Sequence, residues 1–197
     1  KNLTDVRQDV YRQIREMSKE PQDVDLSLPK TWMEPTTERL ADGSEVLLPT
    51  FDSHLMSKDD GLFPAILNDW EIKVIEHETN RDGFEAWYRN PSRGSQDSLG
   101  IAYLDNGEYK LLRPDFIFFA RKPDGTIAVD IVDPHSLHLS DALPKLKGLA
   151  EYAEKHAGKY RRIESVAAFN GKLKVLDLME PTVRKQVLDS DNALALN

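Results

Sequence analysis

The stretch from Lys110 to His135, KLLRPDFIFFARKPDGTIAVDIVDPH, constrains this chain more than any other. Two apolar runs flank a tight turn, and each carries an aspartate that burial disfavours. Lys122-Pro123-Asp124-Gly125 supplies the turn, because proline presets its φ and Asp-Gly tolerates the backbone that a sharp reversal needs. Folding the runs about Pro123 and Asp124 sets Asp130 nearly opposite Ile117 and leaves Asp115 one diagonal step away, roughly 7–8 Å. Pro114 cannot donate to a strand ladder, so an irregularity there is expected to shorten the gap.

Two carboxylates this close in an apolar setting need a cation between them, or one keeps its proton. A hard divalent ion is the simplest answer: Mg²⁺, or Mn²⁺ in its place, takes carboxylate, water and phosphate oxygens, and at a sheet edge it points to phosphoryl chemistry. The plainer alternative has Asp115 and Asp130 capping strand ends or meeting Arg113 and Arg121.

The order of these features resembles the PD-(D/E)XK nuclease superfamily, the restriction-endonuclease-like fold, and most closely the nuclease domain at the end of type III restriction and related helicase subunits. The matching span runs from Leu62 to Leu178. Pro114-Asp115 stands for the family's Pro-Asp and Asp130-Ile131-Val132 for its acidic-x-Lys. Trp70-Glu71 opens a helical pattern like the family's first helix, and Trp87 in FEAWYRNP falls in the strand that follows. The resemblance implies an α/β fold with a mixed central sheet flanked by helices, and Mg²⁺-dependent hydrolysis of a phosphodiester, with DNA as the substrate. It further implies that Asp115 and Asp130 hold the ion, joined by Glu71 and the backbone carbonyl of Ile131.

One departure outweighs the agreements. Residues two apart on a strand share a face, so the family's lysine stands beside its acid and can orient the attacking water; here that position is Val132. Lys145 and Lys147, at the start of the next helix, are candidates to replace it. They lie about 200° apart around the axis, so at most one faces the carboxylates. His135, five residues after Asp130, could serve as base, phosphate contact or ligand. His135 and His138 also have zinc-compatible spacing, with Asp133 or Asp141, although the absence of cysteine leaves a structural zinc site without thiolates. Without a replacement cation, the alternative is a nuclease-like module that binds nucleic acid or a partner protein without cutting.

A net charge of −8 argues against indiscriminate binding to nucleic acid. Arg89, Arg93 and Arg113 nevertheless lie near the acidic residues in sequence and are the candidate DNA contacts, while Lys155, Lys159, Arg161 and Arg162 collect further on. An adjoining ATPase or helicase domain is expected to deliver most of the affinity. The lack of cysteine excludes a disulfide framework and a thiol nucleophile, and fits a cytoplasmic setting. No apolar window is long enough to span a membrane. The first residue is Lys rather than Met, which points to a piece of a longer protein. Oligomeric state is not legible.

The chain divides into an amino-terminal helix and irregular arm over 1–61, an α/β domain over 62–190 and a frayed tail over 191–197. Within the arm, Asp5 to Lys19 has a weak helical period, and a hairpin is expected to end in EVLLP. The domain should begin with a helix over Phe63 to Asn80, in which Glu71 flanks the apolar stripe; Glu85 is a second candidate for its role. A short strand follows from Ser98 to Leu104. The second helix runs from Ser140, as N-cap, to His156. Final strands at Ile163 to Phe169 and Leu173 to Leu178 join through Asn170-Gly171, and Pro181 starts a terminal helix.

Overall fold

The computed structural model describes residues 35–57, 59–94, 97–134, 140–169 and 172–196. The helix expected over Asp5 to Lys19 and the turn at Asn170-Gly171 lie outside them. Thr37–Arg39 (β1) and Glu45–Leu47 (β2) form an antiparallel hairpin around Asp42-Gly43, with Gly43 at φ 85°, where the arm's hairpin ending in EVLLP is expected.

The first helix is shorter than its apolar period suggests. Leu62–Pro64 is instead a strand (β4) paired with Thr50–Asp52 (β3). Pro64 explains this, since the residue before a proline is pushed out of the helical region. The helix proper (α1) spans Asp69–Thr79 behind a capping box, in which the Asn68 side chain accepts from the Trp70 and Glu71 N–H groups and the Glu71 carboxylate accepts from the Asn68 N–H.

Among the described residues the central sheet has five strands. Phe84–Arg89 (β5), Phe116–Arg121 (β8), Ile127–Pro134 (β9), Arg162–Phe169 (β10) and Lys172–Asp177 (β11) lie side by side in that order. All neighbours are antiparallel except β9 and β10, which are parallel and joined through the helix Ala142–Lys155 (α2). Parallel neighbours need such a crossover. The fold is therefore a mixed α/β sheet flanked by helices.

Alternation along the strands gives the sheet two apolar faces. Ala86, Tyr88, Ile117, Phe119, Val129 and Ile131 pack with Leu146, Leu149 and Ala153 of α2; Trp87, Phe116, Phe118 and Val132 pack with Val74 and Ile75 of α1. Ile101–Asp105 (β6) and Glu108–Leu112 (β7) form a separate hairpin rather than strands of the central sheet, turning at Asn106-Gly107 with φ of 51° and 83°. Tyr103 of this hairpin meets α2 so closely that a Cβ on Gly148 would lie 2.3 Å from the tyrosine Cβ.

The N-cap of α2 is Asp141, one residue past the expected Ser140. After β11, Pro181–Asp189 forms α3 with proline in its first turn. The tail expected to fray instead forms a 3-10 turn over Ala193–Leu196, and Ala193 is buried in a cluster with Ala142 and Ala167.

Candidate functional site

Three elements meet where β8 begins. Glu71 sits in the first turn of α1, held there by the capping box, and its second oxygen lies 2.7 Å from Nη2 of Arg89 at the end of β5. The same nitrogen is 3.2 Å from Oδ1 of Asp115. The guanidinium rests on the Phe116 ring, 4.7 Å from its centroid, a cation–π arrangement that keeps the stem in place. Its other terminal nitrogen, Nη1, is buried and makes no hydrogen bond to any described residue.

Asp115 is fixed from both sides. Its carbonyl accepts from the Asn90 N–H at 2.9 Å, and its own N–H donates to Oδ1 of Asp133 at 3.0 Å. Asp133, buried at the end of β9, is therefore the acid that faces Asp115 across the hairpin.

This corrects the expected pairing. Asp130 lies opposite Phe118, not Ile117, and the register from Phe116↔Val132 onward carries Asp115 to Asp133. Three residues along a strand separate the expected partner from the observed one, about 10 Å. The signal was present in the sequence, since Asp115 and Asp133 are equidistant from Asp124 at the tip of the turn.

Asp130 itself has another role. It is 0 % exposed and sits on the α1 face beside Val132. Arg161 grips it by two nitrogens, Nε at 2.9 Å and Nη2, while Arg162 reaches it with Nη2 at 2.7 Å and Nε at 3.1 Å. Arg162 also holds Glu164 at 3.1 Å and Glu78 of α1, which in turn takes Arg81 at 2.9 Å. Burial weighs against the charge on Arg162 more than any other influence, yet the hydrogen bonds it donates to Glu78 and Asp130 carry its pKa upward overall. Arg161 is raised too, first through its hydrogen bond to Asp130. Glu164 moves up because it is desolvated, against the pull of Arg162. Asp130 is thus a buried structural anion with two guanidinium partners, as the plainer sequence reading allowed, although the partners are Arg161 and Arg162 rather than Arg113 and Arg121.

The other expected site residues disperse. Ile131 is fully buried between Ile117 and Ile163, where its backbone groups belong to a strand with a neighbour on each side. Lys145 pairs with Asp141 one turn earlier at 2.7 Å, and α2, which carries it with Lys147, packs on the sheet face opposite α1. Glu85 is exposed and bonds Arg121 at 2.6 Å. Arg89 pairs with Glu71 and Asp115, whereas Arg93 is exposed and Arg113, half-buried, has its Nε 3.2 Å from the Ser98 hydroxyl. His135 and His138 lie outside the described residues. His54, given no role by its sequence, is buried and stacked on Phe63 at 3.5 Å, with the Met56 and Arg89 N–H groups each 3.0 Å from a ring nitrogen.

A family model named for YagJ matches residues 52–196. The chain belongs to the YagJ family. It is 55 % identical over 196 residues to Protein YagJ of Escherichia coli (strain K12), a match that covers 100 % of this chain and 80 % of that protein. No solved structure matches.

The groups that the resemblance assigned to Mg²⁺ do not suit it as arranged. Asp130 and Ile131 are committed elsewhere, both oxygens of Glu71 are engaged, and the cation shared by Glu71 and Asp115 is a guanidinium. Among the described residues no three His, Asp or Glu side chains are placed to share one metal ion. No helix among them is long and apolar enough to cross a membrane. What this end of the sheet offers chemically is an acidic centre partly neutralised by Arg89, with Arg93 and Arg113 on the adjacent loops.

Proposed function

We propose that this chain is a restriction-endonuclease-like module that engages DNA at the β8–β9 end of its sheet without cutting it. The observation that carries this reading is the seat of Arg89, whose Nη2 contacts both Glu71 and Asp115 where catalysis would require a metal. Val132 in the position of the motif lysine and the burial of Asp130 agree with it. The likeness to nucleases is supported by the capped helix that delivers Glu71, the antiparallel hairpin with Pro114-Asp115 at its start, and the crossover helix leading to a parallel strand. Arg93 and Arg113 would touch phosphates, and a cytoplasmic ATPase or helicase partner would supply the rest of the affinity, given the chain's charge of −8.

Two such contacts imply a shallow salt dependence, with a log–log slope near about −2. Labelled single- and double-stranded DNA incubated with the protein in Mg²⁺ or Mn²⁺ should stay intact and be bound at low salt, more weakly by Arg93→Ala and Arg113→Ala. Absence of binding at low salt would remove the proposal.

A second reading has its own observation. The Asp115 backbone N–H donates to the Asp133 carboxylate at 3.0 Å, which sets the two residues side by side at the hairpin end. Metal-dependent hydrolysis using Asp115 and Asp133 would appear in the same assay as cleavage abolished by Asp115→Ala and by Asp133→Ala.

A further inference from the structure

Glu71 and Asp115 come from different elements, yet each places an oxygen on one nitrogen of Arg89, at 2.7 and 3.2 Å. Without positive charge at that point the two carboxylates would repel, and the first turn of α1 would be pushed from the start of β8. We propose that Arg89 is a resident cation, which fills the place a divalent ion would take and holds this end of the sheet together without metal.

The arginine is built into the fold. Its N–H is 3.0 Å from the buried ring of His54, its strand is paired with β8 through Arg89↔Phe116, and its guanidinium lies over the Phe116 ring. Nη2 carries both contacts to the acids, while Nη1 is buried with no hydrogen-bond partner among the described residues. A divalent ion entering here would have to displace a packed side chain and meet two acids that already share one positive charge. This deepens the reading of a module that does not cut, by naming the residue that separates its acidic centre from metal; it rests on that reading for its biological meaning, but its test involves no DNA.

Thermal unfolding of the full chain in EDTA, Mg²⁺ and Mn²⁺ decides the matter. The wild type should melt at one temperature in all three. Arg89→Met, which keeps a stem over Phe116 and loses the charge, should melt lower in EDTA and rise by at least about 3 °C in Mn²⁺. Asp115→Asn added to that variant should cancel the rise. Arg89→Lys retains a cation and should ignore both ions. If Arg89→Met is unfolded in EDTA, recovery of its far-ultraviolet signal in Mn²⁺ has the same meaning, and failure to recover overturns the proposal. A wild type stabilised by Mn²⁺ as much as the Met variant, a Met variant as stable as wild type and indifferent to Mn²⁺, or a Lys variant that responds like Met also overturns it. DNA cleavage by the wild type would instead remove the functional reading and leave these melting results standing.

Discussion

Glu71 and Glu78 stand seven residues apart on α1, and each holds an arginine from the sheet beneath, Arg89 at one end of the helix and Arg162 toward the other. Seven residues make nearly two turns, so both carboxylates fall on the side that faces the strands. The helix is thus fixed at two points by charge and between them by Val74 and Ile75. The two aspartates singled out by the hairpin divide between these points: Asp115 joins Glu71 and Arg89, and Asp130 joins Glu78 and Arg162.

Asp130→Ala should act on folding and not on a reaction. It removes the anion from beneath Arg161 and Arg162, and breaking one side of a buried pair typically costs about 3–5 kcal/mol. A urea titration should show the midpoint falling steeply, whereas Asp115→Ala, at a half-exposed position, should lower it less.

Glu164 predicts a pH signature. Its pKa is raised from 4.5, chiefly by desolvation, so the folded protein favours its protonated form. The associated stability is present below the ordinary glutamate pKa and is lost as pH rises through the raised folded value. Glu164→Gln mimics the protonated form. The stability of this variant relative to wild type, followed by denaturant melts, should therefore increase from acid toward neutral pH.

Gly148→Ala tests the approach of α2 to the β6–β7 hairpin. The added Cβ would lie 2.3 Å from the Cβ of Tyr103, so helix or hairpin must shift, at a cost of about 1–3 kcal/mol. Calorimetry should show a lower melting temperature, and Tyr103→Ala in the same chain should return part of the loss.

Asn68→Ala removes the acceptor for the Trp70 and Glu71 N–H groups and should cost about 1 kcal/mol. Because Glu71 reaches Arg89 from inside this capping box, the substitution should also loosen Arg89. Amide exchange at the start of β8 should speed up along with that of the first turn of α1.

Much of the architecture could be read from local chemistry. Pro123-Asp124-Gly125 fixed the hairpin, Pro181 fixed the last helix, and the apolar stripe with Leu146 and Leu149 fixed α2. The parts that failed depended on choices between similar local options. Phe63 fits a helical period, but Pro64 sends it into a strand. The hairpin register hung on where the turn is centred, and an error of one residue exchanges one sheet face for the other, which moved Asp130 from site to core. Arg161 and Arg162 stood out only as a cluster of charge, because nothing local reveals that β10 will lie parallel to β9 and bring them under Asp130. Arg89 was noted as a cation near the acids, but that it faces inward is a tertiary fact.

The parallel pairing of β9 and β10 also sets an order on synthesis. A nascent chain that has released the β8–β9 hairpin presents Asp130 before Arg161 and Arg162 have left the ribosome, so its most deeply sequestered anion has no counterion yet. A hairpin packed against α1 at that stage would hold Asp130 without the two arginines that pair with it in the folded chain. The counterions of Asp130 are delivered only by the segment beyond α2.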